Sequence, residues 1–405
     1  MRGKFVVFLA DGMADEPLPE LEGKTPLEFV QTPNMDKIAE AGASGTFLSL
    51  PEGFPTSSDV ANLSVLGYDL ASCYPGRGPL EAASMDIEMQ QDDIAFRCNL
   101  VTVKDGILLD YSAGHIETER SKIIFRDLQE HFGNEKVSFY AGVSYRNLII
   151  LHGSEFSDKV FYHKPDSSQG EKISDLRLQP ADNSPEAKHT VKFLETLITQ
   201  TSDFLSKHPL NQGFDSPANM IWPWSPGKKP SLPPFSQKYH GIRGAVISAV
   251  DVIFGIAKCA GMQVIKVPGA TGFIDTNYKG KAEAAIKAIK DDKADFVFLH
   301  VEAIDECSHM GDLQLKMQAI ADFDSKIVGT VMEGLKDLEV SFAVLPDHPV
   351  PIKLRKHTRT PVPVAICGKH IPRDEIRYYS ETLAPKGGLG FFKGDEFMKT
   401  LFGMR

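Results

Sequence analysis

The chain has 405 residues, and Lys+Arg 44 against Asp+Glu 54 gives a net charge of -10. That length can bury a large core in two or three domains, and an acidic chain with no long basic run argues against a nucleic-acid surface. Five cysteines, at 73, 98, 259, 307 and 367, form no C-x-x-C pair and read as reduced thiols of a cytoplasmic protein. No signal-like leader and no stretch of roughly 18 apolar residues points to export or a membrane span.

In chain order, residues 5–10 form an apolar, β-rich run that ends in Asp11-Gly12, the pattern of a buried parallel strand delivering a carboxylate at its C-terminal end. Residues 54–64 are a hydroxyl-rich turn entering a helix, with Ser58 at its start. A serine there is ordinarily an N-cap, yet a helix N-terminus also stabilises a phosphate, and a metal ion could make the hydroxyl nucleophilic. Residues 96–103, 106–111, 137–140 and 146–152 read as strands around a helix at 121–131, a smaller α+β insert. A turn-rich stretch at 164–186, a helix at 188–207 and a Pro-rich stretch at 208–239 read as connections back to the core.

Beyond them, helical patterns at 245–259, 281–289 and 313–335 alternate with strand-like runs at 296–300, 340–345 and 362–366. Such alternation predicts an α/β core with a parallel sheet whose ligands gather beyond the carboxyl ends of the strands. Asp305 and His309 stand four apart, so on a helix they share a face. Asp347 and His348 follow a strand between two prolines, and His357 precedes the next extended run. With Asp11, these are oxygen and imidazole ligands suited to a pair of divalent ions that clamp an in-line phosphoryl transfer. Taken singly, each is as well explained by a cap, a turn or a surface histidine.

The stretches LADGMAD at 9–15, SSDVANLSVLGYD at 57–69, GRGPLEAAS at 76–84, AFRCNLVT at 95–102, HVEAIDECSHMGD at 300–312, PDHPVP at 346–351 and KHTRTPVP at 356–363 occur together. In combination they resemble the archaeal-type cofactor-independent phosphoglycerate mutases of the alkaline phosphatase superfamily. The resemblance implies an alkaline-phosphatase-like core, residues 1–76 plus 236–405, with a mostly parallel sheet flanked by helices and interrupted by a smaller α+β cap at 77–235. It implies interconversion of 3- and 2-phosphoglycerate, a step of glycolysis and gluconeogenesis, without 2,3-bisphosphoglycerate and through a phosphoserine at Ser58. Asp305, His309 and His357 would hold one divalent metal, and Asp11, Ser58, Asp347 and His348 the other. Mn²⁺ is the first expectation, with Zn²⁺, Co²⁺ or Mg²⁺ accepted by the same donors. Asp59 and Asn62 would orient the phosphoserine and the glycerate, and Arg77, Arg97, Arg146, Arg243 and Lys279 are the cation candidates for substrate carboxylate and phosphate. The expected partner is a small phosphorylated metabolite, with no nucleic acid or membrane involved and the oligomeric state left open.

Two departures bear on the substrate. The family commonly reads A-G-R-I after a D-Y pair, whereas this chain has Ala113-Gly114-His115-Ile116 after Asp110-Tyr111. Trp222 to Lys228, WPWSPGK, resembles a bacterial branch proposed to act as homoserine kinase, so a homoserine kinase-like phosphotransferase on the same metals is the alternative. Cys73-Tyr74-Pro75-Gly76-Arg77 matches the sulfatase core C-x-P-x-R, but Ser58 already fills the nucleophile position, and no G-x-x-x-x-G-K-[ST] loop is present.

Overall fold

The computed structural model describes residues 3–404. The chain forms two compact units, one from residues up to Tyr74 and from Leu232 onward, the other from Pro75 to Ser231. Among the described residues, no helix is long and apolar enough to cross a membrane.

The first unit is built on an eight-stranded sheet in the order Gln263–Lys266, Gly244–Ser248, Phe296–Val301, Lys4–Ala10, Val340–Leu345, Val362–Cys367, Ala43–Phe47, Gly390–Phe392. The first five strands run parallel. Lys4–Ala10 sits in the middle, and Val6 to Ala10 are wholly buried because helices cover both faces of a parallel sheet, which explains the unbroken apolar run. One core gathers Phe8, Ile38, Ala285, Leu299, Ile320 and Phe323 on one side of it.

Register decides where the chemistry lands. Ala10 pairs with Val301 and Leu9 with Leu345, so Asp11, Glu302 and Pro346 all leave the sheet at one edge. Val362–Cys367 runs antiparallel to both its neighbours, and that reversal brings the chain before Val362, including His357, to the same edge. Phe47, paired with Val362, ends there too and leads towards Ser58.

The mixed α/β architecture with a mostly parallel sheet is the expected one, and three local readings are corrected. Residues 245–259 are not one helix: Gly244–Ser248 is a strand and Asp251–Cys259 the helix, since a short run buried on both faces has no period that separates the two states. The helical run 313–335 holds its course but widens into a π segment at Phe323–Gly329 between Leu313–Asp322 and Thr330–Gly334. The Pro-rich connection contains a strand, Met220–Lys228, which tolerates Pro223 and Pro226 because it lies at a sheet edge and need not donate on both sides.

The second unit is α+β. Ile94–Lys104 pairs antiparallel with Arg146–Leu151, Met220–Lys228 and Ile107–Asp110, and Val137–Val143 extends the sheet. The helices Thr118–Phe132 and Pro185–Leu205 contribute Phe125, Leu128, Leu194 and Leu205 to its core with Phe96, Ile149 and Ile221.

Candidate metal centre

Asp11 is 1% exposed, and its backbone N–H is fixed by Val301 O at 3.0 Å, which continues the sheet by one bond. Its Oδ2 lies 3.0 Å from His300 Nε2, whereas Oδ1 is buried and accepts no hydrogen bond. Gly12 next to it has φ +67, and a Cβ there would stand 2.8 Å from Asp305 Oδ1. Glycine is thus required twice, for the backbone turn and for the close approach of the two ligand segments.

Asp347 is held from three sides. Its Oδ1 accepts from Gly12 N at 3.2 Å and His348 N at 2.8 Å, and its Oδ2 from Asn62 Nδ2 at 2.9 Å. Burial raises its pKa to about 7, and Asp305 adds to that rise. Asp11 is also raised, by burial first and then by Asp347 and Asp305. Three carboxylates buried together repel one another, an arrangement that favours a cation between them.

Asp305 and His309 lie on the helix Ala303–Met310 and share the face that i, i+4 spacing dictates. His309 Nε2 is 3.4 Å from Asp305 Oδ2, and His357 Nε2 is 3.6 Å from Asp305 Oδ1. The two imidazole nitrogens face each other at 2.9 Å, with His309 Nδ1 tied to Arg355 O at 2.9 Å. Burial opposes ionisation of both Asp305 and His309, but their mutual attraction prevails: Asp305 falls to about 2 and His309 rises to about 9. Burial, with His357 alongside, keeps His348 neutral.

Ser58 is the first residue of the helix Ser58–Val65 rather than its cap, which is Ser57. Freed from capping, Ser58 Oγ stands 3.2 Å from His348 Nε2. One turn on, Asn62 bonds both Ser58 O and Asp347, and Asp59 is fully buried with Oδ2 accepting from Tyr74 at 2.8 Å. Arg359 holds the loop that precedes the serine through Leu50 O, Pro51 O and Phe54 O.

Buried side-chain atoms with no hydrogen-bond partner, rare in folded proteins, concentrate here among the described residues: Asp11 Oδ1, Ser57 Oγ, Asp59 Oδ1, Asn62 Oδ1, Asp305 Oδ1 and His348 Nδ1. Donor atoms of Asp305, His309 and His357 lie within 4.8 Å of one another, as do those of Asp11, Asp305 and His348 and those of Asp11, His300 and Asp347. Orphaned carboxylate oxygens beside converging imidazoles fit a divalent cation of Mn²⁺ or Zn²⁺ type.

His300 and Lys281 went unnoticed in the sequence. His300 Nδ1 is 3.1 Å from Ser248 Oγ, burial pushes its pKa down to about 3, and Lys281 Nζ donates to its carbonyl at 3.1 Å. An apolar strand hides such a histidine, and its only signal was a polar residue in a run otherwise buried. Lys281 is wholly buried, while Lys279, the residue singled out, is exposed and only 3.7 Å from Glu283.

Arg243 precedes Gly244–Ser248 at the opposite ends of the strands, bonded to Asp295 at 2.9 Å and 3.2 Å. Five residues of strand, on the order of 16 Å, separate that edge from the ligands. Arg243→Gln is therefore expected to leave kcat/KM within about twofold and to shift the melting temperature only slightly, read by steady-state kinetics and a melting curve. In the second unit, Glu81 bridges Arg77 and Arg97 at 3.0 Å each, and Arg97 is buried with its guanidinium 4.1 Å from the Trp224 ring centroid. Arg146 lies over Tyr145 at 5.3 Å, and exposed His115 packs edge-on against Tyr111 and Tyr145.

Comparison with known proteins bears on this geometry. The family described as 2,3-bisphosphoglycerate-independent phosphoglycerate mutase matches residues 39–211. A Methanosarcina acetivorans protein of that name is 44% identical over 98% of this chain and 99% of its own length. Among solved structures, a Pyrococcus horikoshii protein superposes with TM-score 0.83 at 28% identity, covering 100% of this chain and 98% of that one. A structure titled cofactor-independent phosphoglycerate mutase, from Thermoplasma acidophilum, does so with TM-score 0.68 at 25% identity, covering 99% of both. This chain belongs to the 2,3-bisphosphoglycerate-independent phosphoglycerate mutase family.

Proposed function

We propose that the chain interconverts 3-phosphoglycerate and 2-phosphoglycerate, the glycolytic and gluconeogenic step, by way of a phosphoserine at Ser58. The observation that carries this reading is the placing of Ser58 Oγ, at a helix start and 3.2 Å from His348, inside a cluster of three buried carboxylates and converging imidazoles. Asp305, His309 and His357 would hold one divalent ion, and Asp11, Ser58, Asp347 and His348 the other, with Mn²⁺ the first choice. Bound there, the ions would supply Lewis-acid neutralisation of phosphoryl charge.

The chain's own residues do the rest. As Ser58 Oγ forms its bond to phosphorus, the bond from phosphorus to the substrate's 3-oxygen breaks, and the proton lost by the serine is balanced by one gained on that oxygen. The backbone N–H groups of the first turn of Ser58–Val65 face the new phosphate, whose dianion the helix dipole favours. Asn62 keeps the serine and Asp347 in register. Glycerate then offers its 2-hydroxyl, the reverse displacement frees Ser58, and no net proton is consumed. Arg77, Arg97 and Arg146 of the second unit, held by Glu81 or over aromatic rings, are the guanidinium groups proposed for the carboxylate and phosphate.

The test is formation of 2-phosphoglycerate from 3-phosphoglycerate with Mn²⁺ and without 2,3-bisphosphoglycerate or ATP. Turnover is expected, with a loss of at least about 100-fold after treatment with chelator and recovery on Mn²⁺ addition. No 2-phosphoglycerate, together with ATP-dependent phosphorylation of homoserine, would overturn the mutase reading.

A further inference from the structure

Behind the ligand cluster lies a buried ion pair that the proposed chemistry does not use. Lys316, on the helix Leu313–Asp322, is wholly buried, with Nζ 2.7 Å from Asp15 Oδ2 and 2.9 Å from Val350 O. The Asp15 side chain, also fully buried, accepts from Ile352 N at 3.1 Å and 3.3 Å and from Glu16 N at 2.8 Å.

Together these groups tie three ligand-bearing segments to one another. Asp15 follows Asp11 by four residues, and Val350 and Ile352 follow Asp347 by three and five. Lys316 follows His309 by seven, across a tight joint in which Gly311 adopts φ +74 and Asp312 caps the next helix through Leu315 N at 3.0 Å. The first two segments are also stitched by Val350 N to Ala14 O at 3.2 Å and by bridges from Met13 and Ala14 to Pro349. The third segment is joined to both of them by Lys316.

A buried pair of this kind is a weak device for stability, because desolvation offsets most of its attraction and a well-packed apolar pair does as well or better. What apolar residues cannot supply is direction: Nζ must point at one carboxylate oxygen and one carbonyl, and the carboxylate at one N–H. We propose that Lys316 and Asp15 are positioning residues that lock the three ligand segments in register and so set the affinity and geometry of the metal site. The inference rests on the metal reading above.

The experiment uses full-length Asp15→Asn/Lys316→Met, which removes both charges while roughly keeping volume, beside the wild type and Asp305→Asn. Mn²⁺ binding to chelator-stripped protein is measured by equilibrium dialysis, the bound ion by electron paramagnetic resonance, and folding by circular dichroism and melting. The double variant is expected to fold and to bind Mn²⁺ about 10- to 100-fold more weakly. It should also show an altered Mn²⁺ spectrum and, at saturating Mn²⁺, a reduced kcat with KM little changed. A double variant with wild-type Mn²⁺ affinity and spectrum overturns the proposal. Should that variant fail to fold, Asp15→Asn alone keeps an acceptor for Ile352 and Lys316, and a weakening of at least about threefold is expected, with unchanged affinity overturning the proposal. Wild type that binds Mn²⁺ no better than Asp305→Asn would instead overturn the metal reading itself, and this inference with it.

Discussion

Ser58→Ala is expected to lower turnover of 3-phosphoglycerate by at least about 10⁴-fold, because removing a nucleophile eliminates the covalent path rather than slowing one of its steps. The fold should be spared. Ser58 is the first residue of its helix and Ser57 holds the cap position, so alanine removes one hydroxyl whose recorded contact is His348 Nε2 at 3.2 Å. Melting within about 1 kcal/mol of wild type is the expected companion result. The decisive measurement pairs kcat with protein-bound label after incubation with 3-phosphoglycerate labelled in the phosphoryl group: the wild type should retain label on a residue stable to mild acid, and the variant none. Turnover within tenfold of wild type would remove Ser58 from the nucleophile role.

The residues most visible in the sequence were those next to strand ends or at helical spacing. Asp11 and Asp347 could be read because an apolar run stops abruptly at a carboxylate, and Asp305 with His309 because four residues make one helical turn. His357 was visible only as a loop histidine, since nothing local announces that Val362–Cys367 runs against its neighbours, and that direction alone brings it to the ligand edge. His300 was hidden for the opposite reason. It sits inside a strand buried throughout, where its selection by Asp11 and Ser248 is a tertiary matter. Cations were read least well, because a lysine or arginine in a sequence carries no sign of where its long stem leads. Lys279 and Lys281 stand two apart on one helix and point to solvent and core respectively, while Arg243 is satisfied by Asp295 at the far edge of the sheet.

Asp11→Asn is expected to act with opposite signs on stability and on function. In the metal-free protein Asp11, Asp305 and Asp347 are buried together, and desolvation reinforced by the other two carboxylates makes the Asp11 charge unfavourable. Asparagine keeps an oxygen for His300 Nε2, which now bonds Asp11 Oδ2 at 3.0 Å, and turns an amide towards the remaining acids in place of the orphaned Oδ1. The chelator-treated variant should therefore melt higher than chelator-treated wild type, by an amount of about 1–2 kcal/mol. Adding Mn²⁺ should reverse the order. A site that binds only the folded state gains about 2.7 kcal/mol when the free ion is at 100 times its dissociation constant, and the variant, lacking a charged ligand, should gain far less. Turnover should fall by about 10³-fold or more, since the lost oxygen would be one of the ligands of the ion that Asp11 is proposed to share with Ser58. Paired melting curves with chelator and with Mn²⁺ test the crossing directly: a variant less stable than wild type in chelator would mean that Asp11 serves the fold before it serves a metal.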